Sequence, residues 1–301
     1  MKRFSNILLM ADAALEDSIA LKRAVALALN NQASLTLVDS VDSIPTEMQM
    51  AVTAITPAEV VDIVVSEKRE QLEQVVTCTA KSGVDIKINV LIGKPFLEVI
   101  RQVLRNMHDL VIKCVEPSAS LMDVLFGSTD MHLMRKYPCP DWINKPTEHQ
   151  HYRRILAAVD RGPEDTVKDA EEANKRKQWL EDLVSTYRSK GDKDAVDYLD
   201  PQLHLIKGDA KHIVPTKARE LNVDLIIMGT IAGTGISGFI MGNTAESILT
   251  QIDCSVLTIK PPEFVSTVSC NARPLNCCEI EGTNNLLEVE CDDFLRVATT
   301  P

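Results

Sequence analysis

One set of residue spacings occurs twice in the chain, and this repetition limits the possible folds more than any other feature. Gly93 and Gly127 lie 34 positions apart, as do Gly208 and Gly242. A cysteine follows the second glycine of each pair after 12 positions. A fixed spacing of turn residues reflects a repeated arrangement of strands and helices, and the back halves of the two copies align without a gap. The chain is therefore predicted to be an internal duplication.

Apolar runs typical of strands alternate with helical patterns through the first copy. The predicted order is strand 4–11, helix 16–30, strand 33–38, helix 56–82, strand 85–92, helix 95–107, strand 109–113, helix 128–136 and strand 139–145. This alternation predicts an α/β fold with a doubly wound, Rossmann-like parallel sheet, in which ligands bind outside the carboxyl ends of the strands. Pro138 and Pro140 predict an edge or dimer-forming position for the fifth strand, because proline cannot donate to a strand ladder.

The second copy is shorter than the first at its front. Asp12 and Gly93 are separated by 81 positions, whereas Asp160 and Gly208 are separated by only 48. The missing 33 positions correspond to about one helix, one strand and their connections. A charged helix at about 167–189 accounts for most of what remains. We therefore predict that the second domain lacks the counterparts of the first helix and the second strand, although 205–208 still echoes 90–93 at the end of the third strand.

Length and composition set the domain organisation and exclude some classes of partner. The 301 residues suffice for about two domains. A polar stretch at 145–151 predicts a linker, so we expect domains at 1–147 and 152–262 and a disordered tail at 263–301. The net charge of −11 argues against binding along a nucleic-acid backbone. No apolar run reaches the ~18 residues of a membrane span, and no signal peptide is visible. We expect a cytoplasmic protein without membrane or nucleic-acid partners.

No catalytic residue or metal site can be assigned from the sequence. The histidines at 108, 132, 204 and 212 are scattered one to an element, as expected for ordinary structural or exposed side chains. The eight cysteines form no disulfide framework, and Cys78, Cys114 and Cys139 lie in apolar or strand-like stretches. That setting predicts reduced, buried thiols.

A glycine-rich loop follows the apolar run at 224–229 and leads into a helix. Glycine allows the backbone to come close to a ligand, and the first N–H groups of a helix have no partner within the helix. Such a place binds anions, and phosphate above all. Asn243 is suited to be the N-cap of the helix, and Glu246, three residues later, has the spacing of a capping box.

These two copies together resemble the universal stress protein family in its tandem, two-domain form, over about residues 3–262. In nucleotide-binding members the loop reads G-x2-G-x9-G-(S/T) and holds the phosphates and ribose of ATP. Gly229 and Gly242 match this pattern. Ala232 stands at the second glycine position with Gly233 beside it, and Asn243 stands at the Ser/Thr position with Thr244 next. The resemblance also implies that the aspartate after the first strand, Asp160, helps to hold adenosine.

The first copy departs from the family pattern in its loop. Cys114 and Pro117 occupy the two leading glycine positions, while Gly127 and Ser128 keep the final pair. Because proline has no N–H to offer a phosphate, this loop is expected to bind nucleotide poorly or not at all. The first half thus keeps the complete fold with a degraded loop, and the second keeps the loop on a shortened fold.

Two hypotheses of function remain open. The first is a stress-response protein, at most a slow ATPase, that binds ATP or a related adenine nucleotide with Mg²⁺. The nucleotide-binding residues would be Asp160, Met228, Gly229, Gly233, Gly242, Asn243 and Thr244. The second is a non-catalytic dimeric scaffold, or a regulator that binds a small ligand or a partner without nucleotide. Asp12 and Asp160 could equally be turn or N-cap residues. Self-association through the fifth strands is expected in either case.

Overall fold

The described part of the chain forms one sheet of eight strands with five helices packed against it. The computed structural model describes residues 4–11, 18–42, 57–79, 82–114, 134–145, 152–159, 174–175, 177–182, 185, 202–230, 242–261 and 264–268. The strands are β1 (Asn6–Met10), β2 (Ser34–Val41), β3 (Ile86–Ile92), β4 (Leu110–Cys114), β5 (Asp141–Asn144), β6 (Ile155–Ala158), β7 (Leu225–Gly229) and β8 (Ser255–Ile259). The helices are α1 (Ile19–Asn31), α2 (Pro57–Thr79), α3 (Pro95–Asn106), α4 (Ala210–Glu220) and α5 (Asn243–Leu249).

The strand order of the sheet is β3-β2-β1-β4-β5-β8-β7-β6. Every neighbouring pair is parallel except β5 and β8, which are antiparallel. Within the first half the chain winds outward from β1 in one direction to β3 and then in the other to β5, which is the doubly wound arrangement. The predicted α/β class is therefore confirmed, and the two halves share a single sheet.

The two fifth strands pair with each other inside one chain. Asp141, Trp142 and Ile143 of β5 lie opposite Thr258, Leu257 and Val256 of β8. β5 also pairs with β4, and β8 with β7, so both edges of each strand are used. The prediction that the fifth strand lies at an edge, available for self-association, is wrong for this reason. Both prolines precede β5, and the Pro140 carbonyl even accepts a hydrogen bond from the Val111 N–H at 3.1 Å.

Helices cover both faces of the sheet because side chains alternate along each strand. The side chains of Ile7 and Leu9 in β1 pack with α1 and α2, whereas Leu8 between them packs with α3. In the second half, Ile226 and Met228 of β7 pack with α4 and α5. The five strands of the first half are thus covered on both sides, as predicted for a buried parallel sheet.

Among the described residues, the second half contributes the three strands β6, β7 and β8 to the sheet. The segment 202–207, which echoes the end of β3, is not a strand. Leu203, Leu205 and Ile206 are between 40% and 45% exposed. In the first half β3 pairs only with β2, so a third strand of the second half would need a second strand beside it, and none is present among the described residues. Within the charged helix predicted at about 167–189, residues 177–182 are helical. Asp160 lies outside the described residues.

Two further expectations differ from the structure. Cys78 is exposed rather than buried, while Cys114, Cys139 and Cys254 are buried. Burial raises the pKa of the Cys254 thiol to about 12, which keeps it protonated and unreactive. The segment 264–268, at the start of the predicted disordered tail, packs on the protein, with Phe264 only 7% exposed. The rest of that tail lies outside the described residues.

The duplication is visible in the backbone as well as in the spacing. Gly93 and Gly208 have φ angles of +134° and +146°, and each is followed closely by a helix. Asp109 and Asp224, just before β4 and β7, accept hydrogen bonds from backbone N–H groups at the start of β1 and just before β6. A glycine with positive φ before a helix and an aspartate that accepts backbone hydrogen bonds therefore occur at equivalent places in both halves. Among the described helices, none is long and apolar enough to cross a membrane.

Replacing Gly208 with alanine is expected to destabilise the protein more than the same change at Gly83. A Cβ at Gly208 would lie 2.7 Å from Ile213 Cδ1 in a backbone conformation that suits only glycine. At Gly83, with φ +76°, a Cβ meets nothing within 4 Å. We expect losses of about 2–3 and about 1 kcal/mol, respectively. Urea unfolding of the two variants measures the difference, and equal losses would contradict the greater backbone strain expected at Gly208.

Acid is expected to destabilise the protein partly through His108. Burial is the largest influence on this side chain and lowers its pKa, although the Asn6 carbonyl and Asp109 act in the opposite direction. The unfolded chain therefore takes up a proton more readily than the folded chain, and stability falls as pH drops below about 6.5. In urea unfolding at pH 7.5 and 5.5, His108→Gln should lose less stability between the two pH values than the natural chain. An identical loss in both proteins would refute this role.

Candidate functional site

The candidate site lies at the carboxyl ends of β6 and β7, the counterparts of β1 and β4, between which the strand order of the first half reverses. β6 and β7 are neighbouring parallel strands, with Ala158 opposite Met228, so their carboxyl ends meet at one edge of the sheet. In the first half the chain winds away from β1 and β4 in opposite directions, and such a reversal point opens a crevice in doubly wound sheets. Val159 follows β6 here and is 59% exposed. Asp160, predicted to contact adenosine, comes next in the chain and lies outside the described residues, as does Gly233.

Gly229 ends β7 and faces open space. An added Cβ would have no described atom within 4 Å, and the φ angle of Gly229 lies outside the left-handed region. Neither the backbone conformation nor packing by the described residues therefore requires glycine at this position. Any side chain here would occupy the space directly above the end of the strand.

Gly242 and the start of α5 lie on the other side of the loop. The Gly242 N–H donates to the Thr230 carbonyl at 3.0 Å, which closes the loop at its base. We call this pair, Thr230 and Gly242, the neck. The N-cap of α5 is Gly242, with φ −63° and ψ 142°, and not Asn243 as predicted. Asn243 is the first helical residue, and its side chain and that of Thr244 are exposed.

The predicted capping box does not form because the helix begins one residue earlier than its spacing requires. Glu246 instead accepts a hydrogen bond from Arg135 of the first half, with Oε2 and Nη2 2.5 Å apart. Met228, also predicted to touch nucleotide, is only 4% exposed and belongs to the core under α5. Its side chain therefore anchors the strand end rather than lining the crevice. The structure brings Gly229, Gly242, Asn243 and Thr244 to one end of the sheet.

The equivalent place in the first half is built differently. Cys114, the counterpart of Gly229, ends β4 and is buried. Trp142 of β5 belongs to the same apolar cluster. The loop beyond Cys114, which the sequence predicts to bind nucleotide poorly and which includes Pro117, Gly127 and Ser128, lies outside the described residues.

A buried lysine that the sequence analysis did not select lies directly behind the neck. Lys260 follows β8, and its ammonium group donates to the Thr230 hydroxyl at 2.6 Å and to the Met134 carbonyl. It lies 4.0 Å from the Asp141 carboxylate, which also accepts a hydrogen bond from Thr258. Burial lowers the pKa of Lys260, and Asp141 opposes that shift. The signal that could have revealed it is a lysine directly after the fifth strand in both copies, Lys145 and Lys260.

A second buried polar cluster joins the two halves on the opposite face of the sheet. Arg23 of α1 donates to Asn144 at 2.8 Å and to the Tyr152 hydroxyl at 2.6 Å. Its guanidinium also lies over the Tyr152 ring, 4.0 Å from the centroid. Trp142 donates to the same hydroxyl at 3.2 Å. These contacts fix the chain just before β6. Among the described residues, no group of three or more His, Cys, Asp or Glu side chains is arranged to hold a metal ion.

Comparison with known proteins identifies the family. The sequence profile of the Universal stress protein family matches residues 3–145 and 153–260, one match in each half. Universal stress protein E of Escherichia coli (strain K12) is 26% identical over 311 aligned positions, which cover 89% of this chain and 98% of that protein. Universal stress protein E of Photorhabdus laumondii is also 26% identical, over 88% and 97% of the two chains.

Solved structures show the same fold. A protein of unknown function from Pseudomonas aeruginosa PAO1 superposes with a TM-score of 0.59 at 22% identity, covering 86% of this chain and 94% of the other. A universal stress protein from Archaeoglobus fulgidus gives a TM-score of 0.57 at 16% identity, over 85% and 96%. With the fold shared and the profile matching both halves, this chain belongs to the universal stress protein family.

Proposed function

We propose that this stress protein binds an adenine nucleotide, ATP or a close relative, at the crevice between β6 and β7 in its second half. In this proposal the backbone at Gly229 and Gly233 approaches the phosphates and ribose, and the first N–H groups of α5 at Asn243 and Thr244 face the phosphates. Asp160 contacts adenosine. Mg²⁺ would accompany the phosphates, any hydrolysis would be slow, and the setting would be the cytoplasm.

The open space at Gly229 carries this proposal. A glycine that neither its φ angle nor its described neighbours require stands at the carboxyl end of β7, beside the end of β6. Ligands of open α/β sheets bind at this position, and a missing side chain lets them approach the backbone. The neck and the exposed Asn243 and Thr244 side chains border the same space.

The alternative function is a scaffold or small-ligand regulator without nucleotide. One observation favours it: β6 is the last strand of the sheet in the described part of the chain, so no described residues form a second strand that could be a side wall for an adenine base. Ala232 at the second glycine position points the same way, because a methyl group in a left-handed conformation costs on the order of 1 kcal/mol. The two functions differ in whether nucleotide binds at all.

Replacing Gly229 with valine should abolish nucleotide binding without unfolding the protein. The new side chain would fill the space that the nucleotide needs, and it would meet no described atom within 4 Å. Isothermal titration of ATP with Mg²⁺ into the natural chain and into Gly229→Val should show at least about a tenfold loss of affinity, as expected when a buried contact surface is blocked. Urea unfolding midpoints should agree between the two proteins.

The matched control is Cys114→Ala at the equivalent position of the first half, which should leave the affinity for ATP unchanged. Equal weakening by both variants would show that the loss is not specific to the second half. No heat of binding to the natural chain at millimolar ATP would reject the nucleotide function and favour the scaffold. Mass spectrometry of small molecules that co-purify with the chain would then identify a different ligand, if one is present.

A further inference from the structure

Lys260 joins three parts of the molecule that are distant in the sequence. Its side chain is only 2% exposed, yet it carries an ammonium group. That group donates to the Thr230 hydroxyl in the second half and to the Met134 carbonyl in the first half. The ring of Phe264 completes its surroundings, with the centroid 5.8 Å away. Because a buried charge costs several kcal/mol unless its hydrogen bonds are made, these partners must stay together for Lys260 to remain buried.

Thr230 is the residue through which Lys260 reaches the nucleotide loop. The Thr230 side chain is bound by Lys260, its carbonyl accepts from the Gly242 N–H at 3.0 Å, and its own N–H donates to the Ile259 carbonyl at 3.4 Å. Thr230 is 1% exposed. All three polar groups of this residue are therefore held, and the first residue of the neck cannot move without breaking the lysine contact.

The first half also contacts α5, the helix that follows the neck. Arg135, directly after Met134, binds Glu246 in the first turn of α5. Two consecutive residues of the first half thus contact the segment before the loop, through Lys260, and the helix after it. Through these contacts the first half holds the second half on both sides of the loop.

Lys145, the equivalent of Lys260, provides an internal comparison. Its ammonium group also donates to a backbone carbonyl of the opposite half, that of Asp253, but this contact is exposed. In the described part of the chain no hydrogen bond or ion pair joins Lys145 to the neck, and its backbone N–H donates to the Ser255 hydroxyl at 3.0 Å. Both lysines therefore connect the halves, and only Lys260 connects them to the loop.

We propose that Lys260 is a positioning residue that clamps the neck of the second-half loop to the first half, so that occupancy of the loop and docking of the two halves stabilise each other. The nucleotide part of this inference rests on the proposed function, but the clamp itself does not. The first half, whose own loop is predicted to bind nucleotide poorly, then supports the loop of the second half. A ligand that favours the closed neck must also favour the docked arrangement, because the two share one set of hydrogen bonds.

Variants at Thr230 test the clamp without removing the buried charge. Thr230→Ser keeps the hydroxyl that accepts from Lys260, and Thr230→Val keeps the shape but loses the hydroxyl. In hydrogen exchange of the full chain without ligand, the amide of Gly242 should exchange about tenfold faster or more in Thr230→Val. Thr230→Ser should match the natural chain. Fast exchange in both variants, or in neither, would overturn the clamp.

Lys260→Met and Lys145→Met then test the lysine itself. In Lys260→Met the hydrogen-exchange rate of the Gly242 amide should rise about tenfold, and so should the dissociation constant measured in titrations with ATP and Mg²⁺. Both quantities should stay unchanged in Lys145→Met. An equal effect of both lysine variants would overturn the proposal in favour of general docking strength. If Lys260→Met does not fold, the comparison of Thr230→Ser with Thr230→Val decides whether the clamp exists. If the natural chain binds no ATP, the proposed function fails while the exchange measurements still decide the clamp.

Discussion

The antiparallel pairing of β5 with β8 is the interaction on which the rest of the structure depends. It turns two parallel sheets into one and places β4-β5 and β8-β7 at the middle of the molecule. Asp141 and Thr258 lie opposite each other in this pairing and are hydrogen-bonded through their side chains. The two halves therefore meet through backbone ladder bonds, a buried ion pair between Lys260 and Asp141, and the Arg23 cluster on the other face. Pairing of this kind is directional, so it fixes one register between the halves.

Sequence patterns were sufficient to predict the secondary-structure elements of each half, but they could not predict the contacts between the halves. The helix over Pro57–Thr79, the left-handed glycine at Gly83 and the twin glycines Gly93 and Gly208 could be predicted, because they follow from local capping, turn and spacing rules. Lys260 could not be selected in this way. A lysine after a strand reads locally as a solvated residue, and its burial depends on Met134 and Asp141, which lie more than a hundred positions away.

The errors have a common physical origin in hydrogen-bond pairing. The prolines before β5 suggested an edge, but the ladder begins after Pro140, and the partner strand comes from the other half of the same chain. The segment 202–207 keeps the apolar residues of a third strand, yet no described residues form a second strand with which it could make ladder hydrogen bonds. In the candidate site, Asn243 has the right chemistry for an N-cap, and the helix nevertheless starts from Gly242 because the Thr230 carbonyl holds that residue.

The shared sheet also has a consequence for biosynthesis. Three strands with one open edge are a small unit, whereas the first half is a complete five-stranded layer that can form as soon as it has left the ribosome. Until β8 is synthesised, more than a hundred residues after β5, the outer edge of β5 presents unpaired N–H and C=O groups. A bare strand edge invites pairing with other chains. We therefore expect the first half to act as the folding template of the second, and translation of residues 145–259 to be the interval in which the nascent chain is most prone to aggregate.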